Sequence, residues 1–495
     1  MQELAFLVFS DIFFLLFFLP LQLIVCAFFD ETKKRNIALL CFSLFFYAWG
    51  EPMYVFLLVG MTFADWFFSL LIASNRGKRT AKLALIGAVV VSLGLLSVFK
   101  YTGFFAENLQ AIFGVPKNIP HIPLPIGISF YTFQLLTYVI DVYRGNAKCA
   151  SKFHELLLYA SLFHQCIAGP IIRYSDVQRE IRLRKKNWIN MGKGVQRFTV
   201  GLAKKALLAN SCGALVDMIL LPDSQLSNLT RLKENVAVLA SRPVSLVWLG
   251  MLFFALQIYL DFSAYSDMAI GMGLMEGFHY KENFNYPYTA ASVTEFWRCW
   301  HISLSSFFRD YVYIPLGGNR KGSARTILNL LIVWLLTGFW HGASWNFILW
   351  GLYYFVFLVL EKQVLLKKFR RIPMFVRRLY TLVIVFFGWV LFRFTRMAYV
   401  GVVLKGLFGL NHSGFTSYEA AAVFKNNLFF LIAAILAVTP LVRNLRLLIE
   451  EKAKYSKSAL YTKRVVFTAL PAALLILSVL SLVGNSYNPF LYFQF

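Results

Sequence analysis

Charge is what this sequence has least of. Asp, Glu, Lys and Arg make up 15% of its 495 residues and hydrophobic residues 59%, where a soluble domain carries about 25% charged and roughly 45–50% apolar residues. One soluble core of this length cannot hide so much apolar side chain, 51 phenylalanines among it. Lipid must therefore solvate much of the surface. Acidic residues are the scarcer sign: 24 against 49 basic ones leave a net charge of +25. The excess sits in short blocks between apolar segments, the pattern of cytoplasmic loops facing an anionic leaflet, and this points to topology and lipid contact instead of nucleic acid. The six cysteines (Cys26, Cys41, Cys149, Cys166, Cys212, Cys299) contain no CxxC pair. They indicate neither a disulfide framework nor a metal site and read as small buried hydrophobes. No basic region precedes the first apolar run, where Glu3 and Asp11 stand, and no A-x-A-like site follows it. A cleaved signal peptide is thereby disfavoured. With Lys33, Lys34 and Arg35 directly after it, the run 4–29 reads as a retained span starting outside and ending in the cytoplasm. No long polar linker, internal repeat or low-complexity tract is evident. The chain reads as one membrane domain, 1–495, with a core at roughly 123–361 flanked by 1–122 and 362–495.

The apolar runs divide into about ten to twelve membrane segments at about 20 residues per span. Residues 37–48 and 53–74 form a hairpin whose first arm is too short for a full span. Residues 83–99 cross outward to an external loop at 105–122. Residues 123–143 are a helix entered through Pro123 and Pro125, and 153–171, with His154, His164 and Gln165, is a buried or interfacial helix. Ten basic residues against two acidic ones make 173–205 the strongest cytoplasmic marker. Apolar runs follow at 206–221 and 245–275, around a polar loop at 222–244. Seven basic residues and no acidic one fill 362–378. Spans at 379–395, 426–442 and 465–485 complete the chain, with a loop at 396–425 and a basic segment at 443–464.

Residues 326–361 are too long for one crossing and barely long enough for two. Basic residues close both ends: Arg320, Lys321 and Arg325 before, Lys362 after. Both ends then face the cytoplasm, and the chain enters the membrane and turns back near Gly338 and Gly342. Trp340 and His341 lie between those glycines. At about 1.5 Å per residue each arm reaches roughly 20–25 Å, which puts His341 well inside the bilayer. An ionisable group at such depth reads as functional by default. An imidazole suits a general base that takes a hydroxyl proton as oxygen attacks a thioester; the plain alternative is a buried histidine bonded to a carbonyl. A second cluster, FWRCWHISLSSFFRDYVYIPLGGNR (296–320), is too polar to span and too aromatic for an ordinary loop. It reads as an interfacial or re-entrant helix ending in a Pro315-Leu-Gly-Gly turn. Its Arg298, Arg309 and Arg320, with Lys321, suit either the phosphates of a carrier such as coenzyme A or lipid headgroups.

These two stretches, FWRCWHISLSSFFRDYVYIPLGGNR and TGFWHGASWNFILWG (337–351), closely resemble the membrane-bound O-acyltransferase family. The YIPLGGNR ending resembles its bacterial alginate O-acetyltransferase branch, as do LFHQCIAGPIIRYSD (162–176), YLDFSAYSDMAIG (259–271) and NPFLYFQF (488–495). The resemblance covers most of the chain. It implies that His341, in the WHG motif, is catalytic and that His301, in the RxWHxS motif, is the second site histidine. It implies an all-α ring of tilted transmembrane helices, with re-entrant and interfacial helices around a central tunnel, in a bacterial inner membrane. It implies acetyl-CoA or another acyl thioester as donor substrate, with no tightly bound cofactor and no metal. The implied acceptor is an exported polysaccharide, often reached through a secreted partner transferase.

Other polar residues read less sharply. Asp261 and Asp267, with Tyr265, suit pairing with basic groups. Gln134, Tyr138 and Asp141 form a stripe at helical spacing that lines a tunnel or bonds neighbouring helices, and His164 reads as packing. Besides a non-enzymatic scaffold for exopolysaccharide export, which would keep full activity in His341→Ala, two other functions fit the same composition. D-alanyl transfer to teichoic acid uses similar chemistry, against which stand the YIPLGGNR ending and the extra C-terminal spans. A transporter or flippase would place His, Asp and Gln along a solute path, against which stands the lack of an internal repeat.

Overall fold

Backbone that crosses lipid must bond to itself, and the apolar runs do so as helices. The structure is a computed structural model and describes residues 7–114, 122–369, 371–484 and 490–491, in which every regular element is a helix. The principal helices begin with α1 (Phe14–Ala27), α2 (Thr32–Gly50), α3 (Tyr54–Ser74), α4 (Arg79–Phe113), α5 (Ile128–Arg144) and α6 (Phe153–Ser161). Then come α7 (Trp188–Leu226), α8 (Val244–Glu276), α9 (Val293–Cys299), α10 (Ile302–Phe308), α11 (Gly322–His341) and α12 (Trp345–Leu365). The last are α13 (Met374–Arg393), α14 (Met397–Leu407), α15 (Tyr418–Asn426), α16 (Leu428–Ala437), α17 (Leu441–Lys452) and α18 (Lys457–Val483). Among the described residues eight helices are long and apolar enough to cross a membrane: α3, α4, α7, α8, α11, α12, α13 and α18. The pair α15 and α16, bent by 57°, makes a ninth if counted as one span. The chain is a multi-pass membrane protein.

It divides into two compact units, one of residues 1–201 and 265–282, the other of 202–264 and 283–495. In the first, α3 packs on α4 and α5, and α2 on α6. Buried polar pairs tie these helices: the Ser92 hydroxyl donates to Asp65 (3.0 Å), and Ser69 and Tyr138 share a hydrogen bond of 2.7 Å. In the second, α11 and α12 form a tight hairpin and α12 packs on α13. Glycines set that closeness. A Cβ on Gly338 would strike the carbonyl oxygen of Phe347, and one on Gly351 that of Trp334. Small residues at such crossings let two backbones meet, which in lipid replaces the hydrophobic driving force.

Several boundaries differ from expectation. The first apolar helix covers only Phe14–Ala27, shorter than the span expected over 4–29. The expected external loop at 105–122 is helical to Phe113, where Gly114 closes α4 in the left-handed conformation (φ 66°); residues 115–121 lie outside the described residues. The segment 153–171 holds a nine-residue helix followed by turns. Half of the basic stretch 173–205 belongs to the long α7, and the supposed loop 396–425 carries α14 and most of α15. The turn in 326–361 falls at residues 342–344, starting at Gly342 as expected but not at Gly338, which serves the helix crossing and does not break the helix. The cysteines are all free, but only Cys26, Cys166 and Cys212 are the buried hydrophobes expected; Cys149 and Cys299 are half-buried and Cys41 is exposed.

Candidate active site

The last residue of α11 is His341. Gly342 ends the helix in an extended conformation, and α12 starts again at Trp345. The imidazole is 4% exposed and lies among aromatic rings, edge-on to Trp340 (4.9 Å between centroids), Trp350 (5.0 Å) and Phe392 (5.2 Å), and stacked on Phe347 at 6.3 Å. Trp350 and Phe347 come from the returning arm and Phe392 from α13, so the hairpin and its neighbour build this wall together. Water is sparse in such a setting, and any charge or dipole acting there is weakly screened.

The second imidazole arrives by α9. Trp297 on that helix meets Trp334, Trp350 and Tyr354 of the hairpin at 4.8–5.4 Å, and Trp300 packs on Trp389 of α13 at 4.8 Å. This explains why residues 296–301 are so aromatic yet not a span: they dock on helices, not on lipid. The start of α9 is held by a distant carboxylate. Glu361, fully buried, accepts from the backbone N–H of Val293 (2.6 Å) and Thr294 (2.8 Å) and from the Thr294 hydroxyl (2.6 Å). Between α9 and α10, His301 sits at φ 44°, a left-handed conformation uncommon outside glycine. Its ring is 1% exposed and edge-on to Phe262 (4.8 Å) and Trp340 (5.7 Å). Burial pushes this imidazole down to about 3, so it is neutral at ordinary pH. The two histidines thus flank one indole, that of Trp340.

Asp261 precedes Phe262 on α8. Its carboxylate binds Lys205 (2.7 Å), both side chains being buried, and accepts from the backbone N–H of Leu491 (2.8 Å). The Lys205 ammonium also lies over the Phe490 ring at 4.1 Å. Residues 490–491 of the NPFLYFQF motif are thereby fixed to Asp261 and Lys205; the rest of that motif lies outside the described residues. The proposed carrier-binding cations are not drawn into the aromatic cage. Arg298, Arg309, Arg320 and Lys321 are exposed, and Arg309 pairs with Asp310 at 2.7 Å.

Asp267, Gln134 and Tyr138 belong to the other unit. Asp267 pairs with Arg197 at 2.6 Å. The Tyr138 hydroxyl accepts from the backbone N–H of Ala150 (3.0 Å), and Gln134 is fully buried one turn earlier on α5. Asp141, next on that stripe, meets the Ser175 hydroxyl at 3.4 Å. His164 packs with the Tyr280 hydroxyl at 3.0 Å; burial, helped by Arg184, takes it down to about 3. Among the described residues no group of three potential metal ligands occurs.

Three residues of this site escaped the sequence reading: Asn283, whose side chain meets His301, Glu361, and Phe262. None stands in a periodic pattern. Their importance comes from contacts across 18 to 68 residues of chain, for which the local sequence carries no signal beyond the polar character of Asn283 and Glu361.

The chain matches the family model of MBOAT, the membrane-bound O-acyltransferase family, over residues 150–402, a range that holds both histidines. It is 35% identical over 508 residues to a Pseudomonas putida protein named probable alginate O-acetylase AlgI, covering 99% of this chain and 100% of that one. A protein of the same name from Azotobacter vinelandii is 35% identical over 520 residues, covering 99% and 100%. A Helicobacter pylori peptidoglycan O-acetyltransferase is 31% identical over 530 residues, covering 99% and 98%.

Proposed function

The chain belongs to the membrane-bound O-acyltransferase family, and from that premise we propose that it carries an acetyl group from a cytoplasmic thioester, acetyl-CoA, across the membrane for O-acetylation of an exported cell-envelope polysaccharide such as alginate. His341 acts as the general base. It takes the proton of an acceptor hydroxyl as that oxygen attacks the thioester carbonyl; the C–S bond breaks, and the proton passes to the thiolate to leave coenzyme A and an O-acetyl ester. His301 is the second imidazole of the site. Arg298, Arg309, Arg320 and Lys321 meet the donor's phosphates from the surface. The helices form a ring around a tunnel that admits the donor from the cytoplasm of a bacterial cell and opens outward to a secreted partner transferase. The N-terminus lies on the outer side.

One observation carries the reading: two buried imidazoles, 40 residues apart in sequence, meet the same indole in an aromatic cage at the end of a spanning helix. Relatives named for O-acetyl transfer to polymers of the envelope support acetyl as the group and a glycan as the acceptor. The test is thiol release from acetyl-CoA by the purified protein, with acetyl content of the envelope glycan measured in wild-type and deletion cells. Replacing His341 with Ala should cut transfer by at least about 100-fold, the lower end of what a positioned base contributes, while the protein still inserts and folds. Retained transfer would remove His341 from the mechanism. Glycan acetyl unchanged by the deletion, or D-alanyl lost in its place, would overturn the substrate assignment.

A further inference from the structure

Asn283 decides which nitrogen of His301 carries the proton. Its side-chain oxygen lies 3.1 Å from the backbone nitrogen of Ser303, 2.9 Å from the Ser303 hydroxyl and 3.2 Å from His301 Nδ1. A backbone N–H only donates, so the atom facing it is the carboxamide oxygen, an acceptor. An acceptor facing Nδ1 requires a hydrogen there. A neutral imidazole has one N–H, so the lone pair of His301 is on Nε2. The backbone holds the arrangement from both sides. Ile302 N–H donates to the Asn283 carbonyl (2.9 Å), and Asn285 N–H donates to the Cys299 carbonyl (2.9 Å). The left-handed turn at His301 is thus stitched to the 283–285 segment.

We propose that Asn283 is a positioning residue of acyl transfer, holding His301 as the Nδ1–H tautomer so that Nε2 offers a lone pair to a reactant. The proposal rests on the reading that His301 and His341 form the transfer site. It separates two tasks open to the second imidazole. A lone-pair nitrogen cannot donate to the thioester carbonyl oxygen; it accepts from an O–H or N–H of a bound reactant. His301 therefore grips a hydrogen-bearing group through Nε2.

The experiment follows thiol release from acetyl-CoA by the full-length protein in lipid nanodiscs, for wild type, Asn283→Ala, Asn283→Asp and His301→Ala. Asn283→Ala frees the ring to rotate and change tautomer; kcat should fall about 10- to 100-fold, as for a misplaced catalytic group, with KM for acetyl-CoA within about threefold. Asn283→Asp keeps an oxygen on Nδ1 but adds a negative charge that favours the imidazolium. Asn283, Ser303, Phe262 and Trp340 face the ring without charge, and His341 lies across the same indole. The carboxylate introduced by Asn283→Asp would then be the new charge acting on it. The variant should lose rate as pH falls, because protonation consumes the Nε2 lone pair, with its acid limb displaced to higher pH than that of wild type. If Asn283→Ala keeps wild-type kcat while His301→Ala is inactive, the positioning role is wrong. If Asn283→Ala does not fold, the pH profile of Asn283→Asp decides, and a profile matching wild type overturns the proposal. Full activity of His301→Ala would instead sink the transfer-site reading itself.

Discussion

Glu361 shows how a buried carboxylate can be architecture. Its oxygens meet three donors at the start of α9, where the helix dipole also favours negative charge. It thereby fixes one end of the short helix whose other end leads to His301. Glu361→Ala would leave the N–H groups of Val293 and Thr294 without their acceptor, at about 1–3 kcal/mol for each group left unsatisfied. Glu361→Gln keeps one acceptor oxygen and turns an amide N–H toward a donor, so its loss should be intermediate. Thermal unfolding of the purified variants measures the order, wild type above Gln above Ala, and acyl transfer should fall in the same order. An Ala variant as stable as wild type would mean that the carboxylate holds nothing in place.

At the scale of elements, the α11–α12 hairpin depends on two glycines, Gly338, which the sequence offers as a helix breaker, and Gly351, which it does not single out. Alanine is favoured over glycine inside a helix by about 0.8–1 kcal/mol, so Gly338→Ala and Gly351→Ala would each stabilise an isolated arm. The hairpin reverses that sign. Each new Cβ meets a carbonyl oxygen of the facing arm, which is backbone and cannot swing away, and overpacking of this kind costs about 1–3 kcal/mol. Both variants should melt below wild type and lose acyl transfer; melting at or above wild type would show that the arms have room to part. The same hairpin marks what was legible in sequence. Its existence, its two arms and the burial of His341 followed from hydropathy and basic flanks, since both are local. The role of Gly338 did not, because breaker and contact glycines look alike until the facing helix is known. His301 stood out by the aromatic, polar character of its segment and by family resemblance. Asn283 and Glu361 stayed hidden, as their partners come from elsewhere in the chain. The missed boundaries of α4 and α7 share one cause: hydropathy sees the apolar centre of a helix, and both extend through polar turns beyond it.

Across the whole molecule, burial grades the helices. The apolar window of α8 is 78% buried inside the protein, that of α18 only 11%, so α8 carries core contacts while α18 gives most of its surface to lipid. The proposed orientation rests on the basic blocks: the positive-inside rule leads us to expect the N-terminus outside and the segments at 76–82 and 362–378 facing the cytoplasm. Green fluorescent protein fused after residue 378 should fluoresce, and alkaline phosphatase at the same point should be inactive; the reverse result would invert the topology. The contact of Gly338 and Gly351 with opposing main chain has a last consequence. Two arms joined that closely have little slack, so His341 is a fixed anvil, unable to swing between one aqueous side and the other. On the proposed mechanism the travelling is done by the reagents, each threading part of the bilayer to reach it, and turnover should respond to the length and bulk of the incoming molecules more than to the suppleness of the protein.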